Sequence, residues 1–215
     1  TSTAVGAGRS VTINNFGDSN IGALQGGASI NATWAGNVVI GTSNARIGGG
    51  AGGTLTVSGV ISQTASGSNV LFSRAANSTT ILSNQNTYTG ETQLFMGGST
   101  TTLKMGIANA INSASRVVLN SPTSGTGYFD LGGYNQNIRA ISDTLTGDLV
   151  VTNSSLANDA ELKLSTTDTQ TFGGWIQDGA SKKTSLVVAG SGVQILSGTN
   201  TYTGTTDVTG GNLII

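Results

Sequence analysis

The sequence predicts an all-β protein folded as a single parallel β-helix, a solenoid of roughly ten coils. Short stretches rich in Val, Ile and Thr recur at roughly ten-residue spacing between turn residues, a pattern typical of all-β chains. Aromatic residues make up only 5% of the chain, so the core must consist of Val, Ile, Leu and Ala. A 14-residue segment also occurs twice, which indicates a repeat architecture.

A pair of β-sandwiches is the alternative fold. Sandwiches usually need large aromatic anchors, and five Phe with two Trp in 215 residues are few. A propeller would need a period of about 40–50 residues, which the sequence does not show. The narrow interior of a β-helix suits small and β-branched side chains, and Asn, Thr and Ser stack well at its corners. At roughly twenty residues per coil, the rod would be about 50 Å long.

The predicted strands are short and are separated by turn residues. In Ser10–Asn14, alternation places Val11 and Ile13 on one face. The stretch 47–53 contains a G-x-G-x-x-G pattern, but a strand follows it rather than a helix, so we expect a turn and no nucleotide site. A helical turn is conceivable only at 103–111. Further strands are predicted at 21–24, 28–34, 37–40, 54–57, 57–61, 69–72, 79–82, 117–119, 128–131, 138–141, 149–152, 160–164, 171–176, 185–188 and 194–196.

The repeated segment defines two internal modules. Ile81–Leu94 and Ile195–Val208 share nine of fourteen residues and lie 114 residues apart. Weaker matches elsewhere have offsets of 115 and 117 residues. We therefore expect a single solenoid over 1–215 with modules at about 1–105 and 106–215. The shared core residues, which we expect to be structural, are Asn86, Thr87, Tyr88, Thr89 and Gly90 in the first copy and Asn200, Thr201, Tyr202, Thr203 and Gly204 in the second.

The composition excludes several classes of function. Charged residues are 9% of the chain, against roughly 25% in a typical domain, and the net charge is −1. We therefore expect no nucleic-acid partner. Because Cys and His are absent, cysteine zinc sites, disulfides and His-based triads are excluded. No run of 18 apolar residues occurs, so this segment should not insert into a membrane. We expect no catalytic residue, no cofactor and no metal site.

Acidic and aromatic side chains are the remaining candidates for chemistry. Paired carboxylates could hydrolyse a glycan or bind Ca²⁺, but no calcium-loop motif is present. We therefore expect solvated loop carboxylates. Tyr88 and Tyr202, at matched repeat positions, should pack rather than stack on a sugar, and Trp34 and Trp175 should be partly buried anchors. The acidic candidates are Asp143, Asp148, Asp159, Glu161 and Asp168.

The repeat centre resembles a known family motif. The run from Leu196 to Val208, followed by Gly211 and Leu213, fits the pattern L-S-G-x-N-T-Y-T-G-x-T-x-V-x-x-G-x-L. The first copy fits less closely, with Asn84 where Gly is usual. The pattern resembles the passenger-associated transport repeat of autotransporters. This resemblance implies a right-handed parallel β-helix on the bacterial surface or released from it, a repeat that helps the passenger fold during export, and no enzyme.

The sequence therefore favours a structural extracellular protein, either an adhesin stalk or a self-assembling fibre subunit, without catalysis. The alternative is a glycan-binding or glycan-degrading surface protein on the same scaffold. The chain begins at Thr1 without Met, and its second module stops early, so we expect a processed or excised piece or an end covered by another molecule. Expected partners are the chain itself, by end-to-end stacking, or host and cell-surface molecules. The candidate docking residues are Asn212, Leu213, Ile214 and Ile215.

Overall fold

The computed structural model describes residues 4–20, 22–41, 44–73, 75–96, 99–119, 125–143 and 148–215. Their only helical element is a 3-10 turn at Asp18–Asn20, and none of the described residues forms a helix able to cross a membrane. In chain order the strands are β1 (Ala4–Val5), β2 (Ser10–Ile13), β3 (Leu24–Gln25), β4 (Asn31–Trp34), β5 (Asn37–Ile40), β6 (Ala45–Gly48), β7 (Thr54–Val57), β8 (Ile61–Gln63), β9 (Val70–Phe72), β10 (Ser78–Leu82), β11 (Thr92–Leu94), β12 (Thr101–Met105), β13 (Arg116–Leu119), β14 (Thr126–Asp130), β15 (Gln136–Ile138), β16 (Ala140–Asp143), β17 (Asp148–Thr152), β18 (Ala160–Thr166), β19 (Thr169–Phe172), β20 (Trp175–Ile176), β21 (Thr184–Gly190), β22 (Val193–Leu196), β23 (Thr206–Val208) and β24 (Asn212–Ile214).

These strands stack in parallel on three faces of a solenoid of about eight turns. Face 1 is the continuous sheet β1-β4-β7-β10-β12-β14-β17-β20. Face 2 begins as β2-β5-β8 and resumes as β15-β18-β21-β23. Face 3 is β3-β6-β9-β11-β13-β16, after which β19 packs beside β16 and continues as β19-β22-β24. The predicted parallel solenoid is confirmed. The pair of β-sandwiches is wrong, because the described strands pair only in parallel.

The register on face 1 sets the length of a coil. Asn31 pairs with Thr54, 23 residues later, and Thr101 pairs with Gly127, 26 residues later. A coil is therefore a few residues longer than the roughly twenty assumed from the sequence. For this reason the chain makes about eight turns rather than ten.

Alternation along the strands builds one continuous core. In β18, every second residue from Ala160 to Thr166 is buried, and the residues between are half-buried. The inward side chains are mostly Val, Ile and Leu, and they form one cluster with the fully buried Phe72, Phe129 and Phe172. Each fully buried side chain of this size contributes about 1.5–3 kcal/mol. The hydrophobic effect therefore holds the coils together along their whole axis.

Four local predictions need correction. The stretch 103–111 is not helical: β12 runs to Met105 because Leu103 and Met105 both point into the core, and a turn follows. The Gly-rich stretch 47–53 is only partly a turn, since Ile47 and Gly48 belong to the buried strand β6. The predicted strand 57–61 is interrupted by a turn at 58–60. In the predicted strand 21–24, residue 21 lies outside the described residues, and only Leu24 is in a strand.

Glycines are required where the turns of successive coils meet. A Cβ on Gly59 would lie 1.8 Å from the carbonyl oxygen of Gly36 in the preceding coil. The same contact recurs in the second module, where a Cβ on Gly198 would lie 1.9 Å from the carbonyl oxygen of Gly174. Backbones approach so closely at these turns that no side chain fits between them. This contact explains why the second repeat copy begins with Leu-Ser-Gly.

We predict that Gly59→Ala lowers the free energy of unfolding by about 2–3 kcal/mol, because its methyl group would overlap a backbone carbonyl. Urea denaturation would measure the loss. Gly26→Ala is the matched control, because its Cβ would meet nothing closer than 3.4 Å and its φ is not positive. Equal losses in the two variants would contradict the close backbone contact.

Candidate functional site

The first repeat copy links three coils through one buried side chain, Asn86. Its Oδ1 accepts the backbone N–H of Ile61 in the preceding coil at 2.7 Å. Its Nδ2 donates to the carbonyl of Ala110 in the next coil at 2.8 Å and to that of Asn84 at 3.1 Å. The backbone N–H of Thr87 donates to the Ile61 carbonyl at 2.9 Å, while the Thr87 side chain is exposed. The Asn86 amide thus replaces backbone bonds where face 2 has no strand.

A second buried amide, Gln136, continues this link. Its Oε1 accepts the N–H of Ala110 at 2.9 Å, and its Nε2 donates to the carbonyl of Ile107 at 2.9 Å. The backbone of Ala110 is therefore held from below by Asn86 and from above by Gln136. The sequence interpretation missed Gln136, which lies outside the repeated motif.

Tyr88 lies entirely inside the core, where no ligand can reach its ring. Its hydroxyl bonds to Thr92 Oγ1 at 2.7 Å, and Thr92 Oγ1 bonds to Ser115 Oγ at 2.9 Å. Ser115 in turn donates to the carbonyl of Gly90 at 2.6 Å. Burial raises the pKa of Tyr88 well above its ordinary value, so the phenol stays protonated. This chain of hydroxyls joins the repeat to the coil that follows it.

The end of the first motif is fixed against the coil before it. Thr89 donates its backbone N–H to Gln63 Oε1 at 2.9 Å and accepts from Gln63 Nε2 at 2.7 Å. A Cβ on Gly90 would lie 2.1 Å from the carbonyl oxygen of Ser68. Only glycine therefore fits at the end of the motif.

The second copy repeats these contacts almost bond for bond. Asn200 Oδ1 accepts the N–H of Ile176 at 2.9 Å, and its Nδ2 donates to the carbonyl of Gly198 at 3.0 Å. The N–H of Thr201 donates to the Ile176 carbonyl at 2.9 Å. The same sequence therefore builds the same corner twice.

The rest of the second motif also matches, with one exchange. The Tyr202 hydroxyl bonds to Thr206 at 2.6 Å, and a Cβ on Gly204 would lie 2.2 Å from a backbone carbonyl of the coil below. Asp178 takes the place of Gln63, accepting from Thr203 N at 3.0 Å and Thr203 Oγ1 at 2.7 Å. Burial acts to raise the pKa of Asp178, but its hydrogen bonds lower it overall. The carboxylate is therefore ionised and anchors the last coil.

The two copies lie on different faces of the solenoid. Asn86 stands beside β8 on face 2, whereas Asn200 stands beside β20 on face 1. On face 2, the strand that lies five coils after β8 is β21. Asn200 instead lies beside β20, the strand that directly precedes β21 in the chain. The 114-residue offset is therefore about one strand short of five coils. The second corner is turned by one face about the solenoid axis.

The two copies also differ in what covers them. Residues 101–119 lie over the first copy, and Thr92 and Leu94 are each 0% exposed. No further coil lies over the second copy among the described residues, and the equivalent Thr206 and Val208 are exposed, Val208 by 52%. Thr206 and Val208 are thus the side chains that a following coil would cover.

The four residues predicted to dock at the end form the last strand and the residue after it. Asn212 donates its N–H to the carbonyl of Gly192 at 2.9 Å, and Leu213 packs partly buried against the core. Ile214 is 50% exposed and Ile215 is 92% exposed. A concavity of about 470 Å³ lies between Ile215 and the second repeat copy. This end of the solenoid is both apolar and open.

The acidic candidates hold backbone groups between coils rather than converging on a site. Asp143 Oδ2 accepts the N–H of Gly173 at 2.8 Å, and Asp159 Oδ1 accepts the N–H of Lys183 at 2.9 Å. Nowhere in the described part of the chain do three potential metal ligands cluster. The side chain of Asp148 lies outside the described residues. These carboxylates bind protein groups in the structure.

Three further candidates lie apart from any ligand-like arrangement. Glu161 is half-buried in β18, with its backbone N–H bound to Asn135 Oδ1 at 2.9 Å. Trp34 and Trp175 are both partly buried, and the Trp34 ring lies against Gly6. Neither ring offers an open aromatic platform.

A ladder of charges was not predicted from the sequence. Arg116 bonds to Glu91 and to Gln170, and Arg139 lies 3.8 Å from Asp168. Burial acts to raise the pKa of Glu91, but hydrogen bonds that include one from Arg116 hold it below its ordinary value. Glu91, Arg116 and Arg139 follow at intervals of 25 and 23 residues, about one coil each. That spacing is the signal that could have revealed the ladder.

We predict that Asn86→Leu lowers the free energy of unfolding by about 3 kcal/mol, because it leaves the Ile61 N–H buried without a partner and removes one of the two hydrogen bonds to the Ala110 carbonyl. Asn200→Leu is the matched control. It should cost about 1 kcal/mol, because water reaches the half-buried corner at the open end. Urea denaturation of both variants tests this difference, and equal costs would contradict the role of the covering coil.

Comparison with known proteins agrees with the repeat. Residues 186–215 match the family described as passenger-associated-transport-repeat, and this segment contains the whole second repeat copy. No curated protein and no solved structure gives a significant match. The family implies a secreted or outer-surface protein. The chain therefore carries a passenger-associated transport repeat, set in a β-solenoid that is consistent with an autotransporter passenger.

Proposed function

We propose that this chain is a structural segment of an extracellular bacterial surface protein, without catalysis, that serves as a stalk or stacks end to end into a fibre. The observation that carries the proposal is the use of the repeat's polar side chains as links between coils. Asn86 and Asn200 bind backbone groups of neighbouring coils, and Tyr88 is fully buried. A motif whose buried polar groups stabilise stacking supports a mechanical role.

The arrangement nearest to a catalytic one also supports a structural role. Ser154 Oγ donates to Asp130 Oδ2 at 2.5 Å and accepts from Lys104 Nζ at 2.7 Å. A lysine that activates a serine must be a neutral amine. Lys104 instead forms an ion pair with Asp130 at 3.5 Å, and an ammonium has no lone pair to accept a proton. The trio holds together the ends of β12, β14 and β17.

The covered first copy specifies what a coil docked on the second copy would supply. It would bring a backbone carbonyl to Asn200, as Ala110 does to Asn86. A parallel β-coil meets this requirement, and the first coil of another copy is such a coil. The heterologous contact does not close on itself, so it would produce a filament.

Apolar exposure is concentrated where this contact would form. Val5 in the first coil is 56% exposed, Ile30 just after it is 55% exposed, and Val208 in the last coil is 52% exposed. A net charge of −1 gives little repulsion against association. Burying these side chains and the free strand edges would stabilise the junction.

We predict that the wild-type chain forms filaments of constant width at high concentration and that Val208→Lys prevents them, because a lysine at the open core must stay in water. Negative-stain electron microscopy over a concentration series would measure this. Leu156→Lys is the matched control, because Leu156 is 80% exposed on a lateral loop. It should form filaments as the wild type does.

Two outcomes would contradict parts of this proposal. Discrete rods of about 40 Å, the length of eight coils, at all concentrations would rule out the fibre and leave the stalk. Hydrolysis of a glycan that Asp159→Asn/Glu161→Gln abolishes, with an unchanged melting temperature, would overturn the non-catalytic role.

A further inference from the structure

Face 2 contains a groove where its sheet is interrupted. Between β8 and β15, two successive coils cross this face without forming a strand. The gap leaves a groove of about 480 Å³. Its floor includes the buried Asn86 and Ile111, and the walls come from three coils. The lining residues are Gln85, Asn86, Thr87, Asn109, Ile111, Asn112, Ser113 and Asn137.

Three asparagines line this groove, and hydrogen bonds to their amide oxygens fix the orientation of their side chains. The Oδ1 of Asn109 accepts the N–H of Asn137 at 3.0 Å, and the Oδ1 of Asn112 accepts the N–H of Ala114 at 2.9 Å. Asn137 Oδ1 accepts from Ser165 Oγ at 3.0 Å. Each amide oxygen is thus held by the protein. Within the described part of the chain, none of the three Nδ2 groups donates to a protein acceptor.

The groove carries no charge. Its lining contains neither acidic nor basic residues, although Arg116 and Arg139 lie nearby on the adjoining corner. Besides the three amides it offers the exposed side chains of Thr87 and Ser113. A ligand must therefore supply several uncharged oxygen acceptors and hydroxyl donors, spread over the width of three coils, about 10 Å.

We propose that this groove binds a neutral oligosaccharide. Its hydroxyl, ring and glycosidic oxygens would accept from the Nδ2 groups of Asn109, Asn112 and Asn137, and its hydroxyls would donate to Thr87 and Ser113. Because the amides are already oriented by the protein, little side-chain entropy is lost on binding. An anionic sugar would bury its carboxylate without a cation and is disfavoured. This site adds a ligand to the structural role and does not depend on end-to-end stacking.

Isothermal titration of the full chain with cellotetraose, maltotetraose and chitotetraose, three neutral probes, tests the proposal. Tetragalacturonate is the anionic comparison, and tetra-alanine tests whether the groove binds peptide instead. We expect saturable binding of at least one neutral probe and none of tetragalacturonate. Asn112→Ala/Asn137→Ala should weaken binding about tenfold or more, as expected for lost hydrogen bonds. Asn158→Ala, on a loop that does not line the groove, should leave binding unchanged.

A second variant tests the groove without removing an amide. Thr87→Arg places a long side chain across the exposed rim and should also abolish binding, with an unchanged melting temperature. No binding of any neutral probe, undiminished binding by both variants, or binding of tetra-alanine alone would each overturn the proposal. Filament formation is scored separately by microscopy, so failure of either proposal leaves the other to be judged on its own result.

Discussion

The structure depends on side-chain amides that replace backbone hydrogen bonds between coils. Where face 2 loses its strands, Asn86 binds the N–H of Ile61 and the carbonyl of Ala110, and Gln136 binds the N–H of Ala110. Buried backbone groups must be paired, and a leftover one costs about 1–3 kcal/mol. These amides therefore allow the solenoid to continue through a region without β-ladder bonds. The same interruption creates the groove that we propose as a saccharide site.

The repeat specifies a corner rather than a coil. Asn86 and Asn200 make the same bonds on different faces, and both motifs end in a glycine pressed against a backbone carbonyl. The bonds that the two copies share involve the motif and the coil directly before it, so the same corner forms on both faces. What changes is the coil that follows, which buries Thr92 and leaves Thr206 exposed. The first copy therefore shows how a following coil would cover the second copy.

The scarcity of charge connects the proposed stacking and the proposed ligand. Charged residues are 9% of the chain, and several are paired within it, as Arg116 is with Glu91 and Lys104 is with Asp130. The remaining surface consists mainly of hydroxyl and amide groups. Such a surface offers little repulsion to a second copy and offers neutral hydrogen-bonding partners to a sugar. Both properties suit a protein displayed outside the cell.

The sequence by itself determined the all-β class, the solenoid and the two repeat corners, because these follow from local alternation, turn residues and the identity of two segments. Only the tertiary structure decided the coil length, the rotation of one copy to another face, and the binding of the Ala110 backbone by both Asn86 and Gln136. Strand pairs between coils join residues 19–29 apart, and every loop between them shifts the register. The local sequence pattern also did not distinguish a strand from a helical turn at 103–111. Leu103 became part of a strand because its neighbours on face 1, Thr80 and Phe129, supply the ladder.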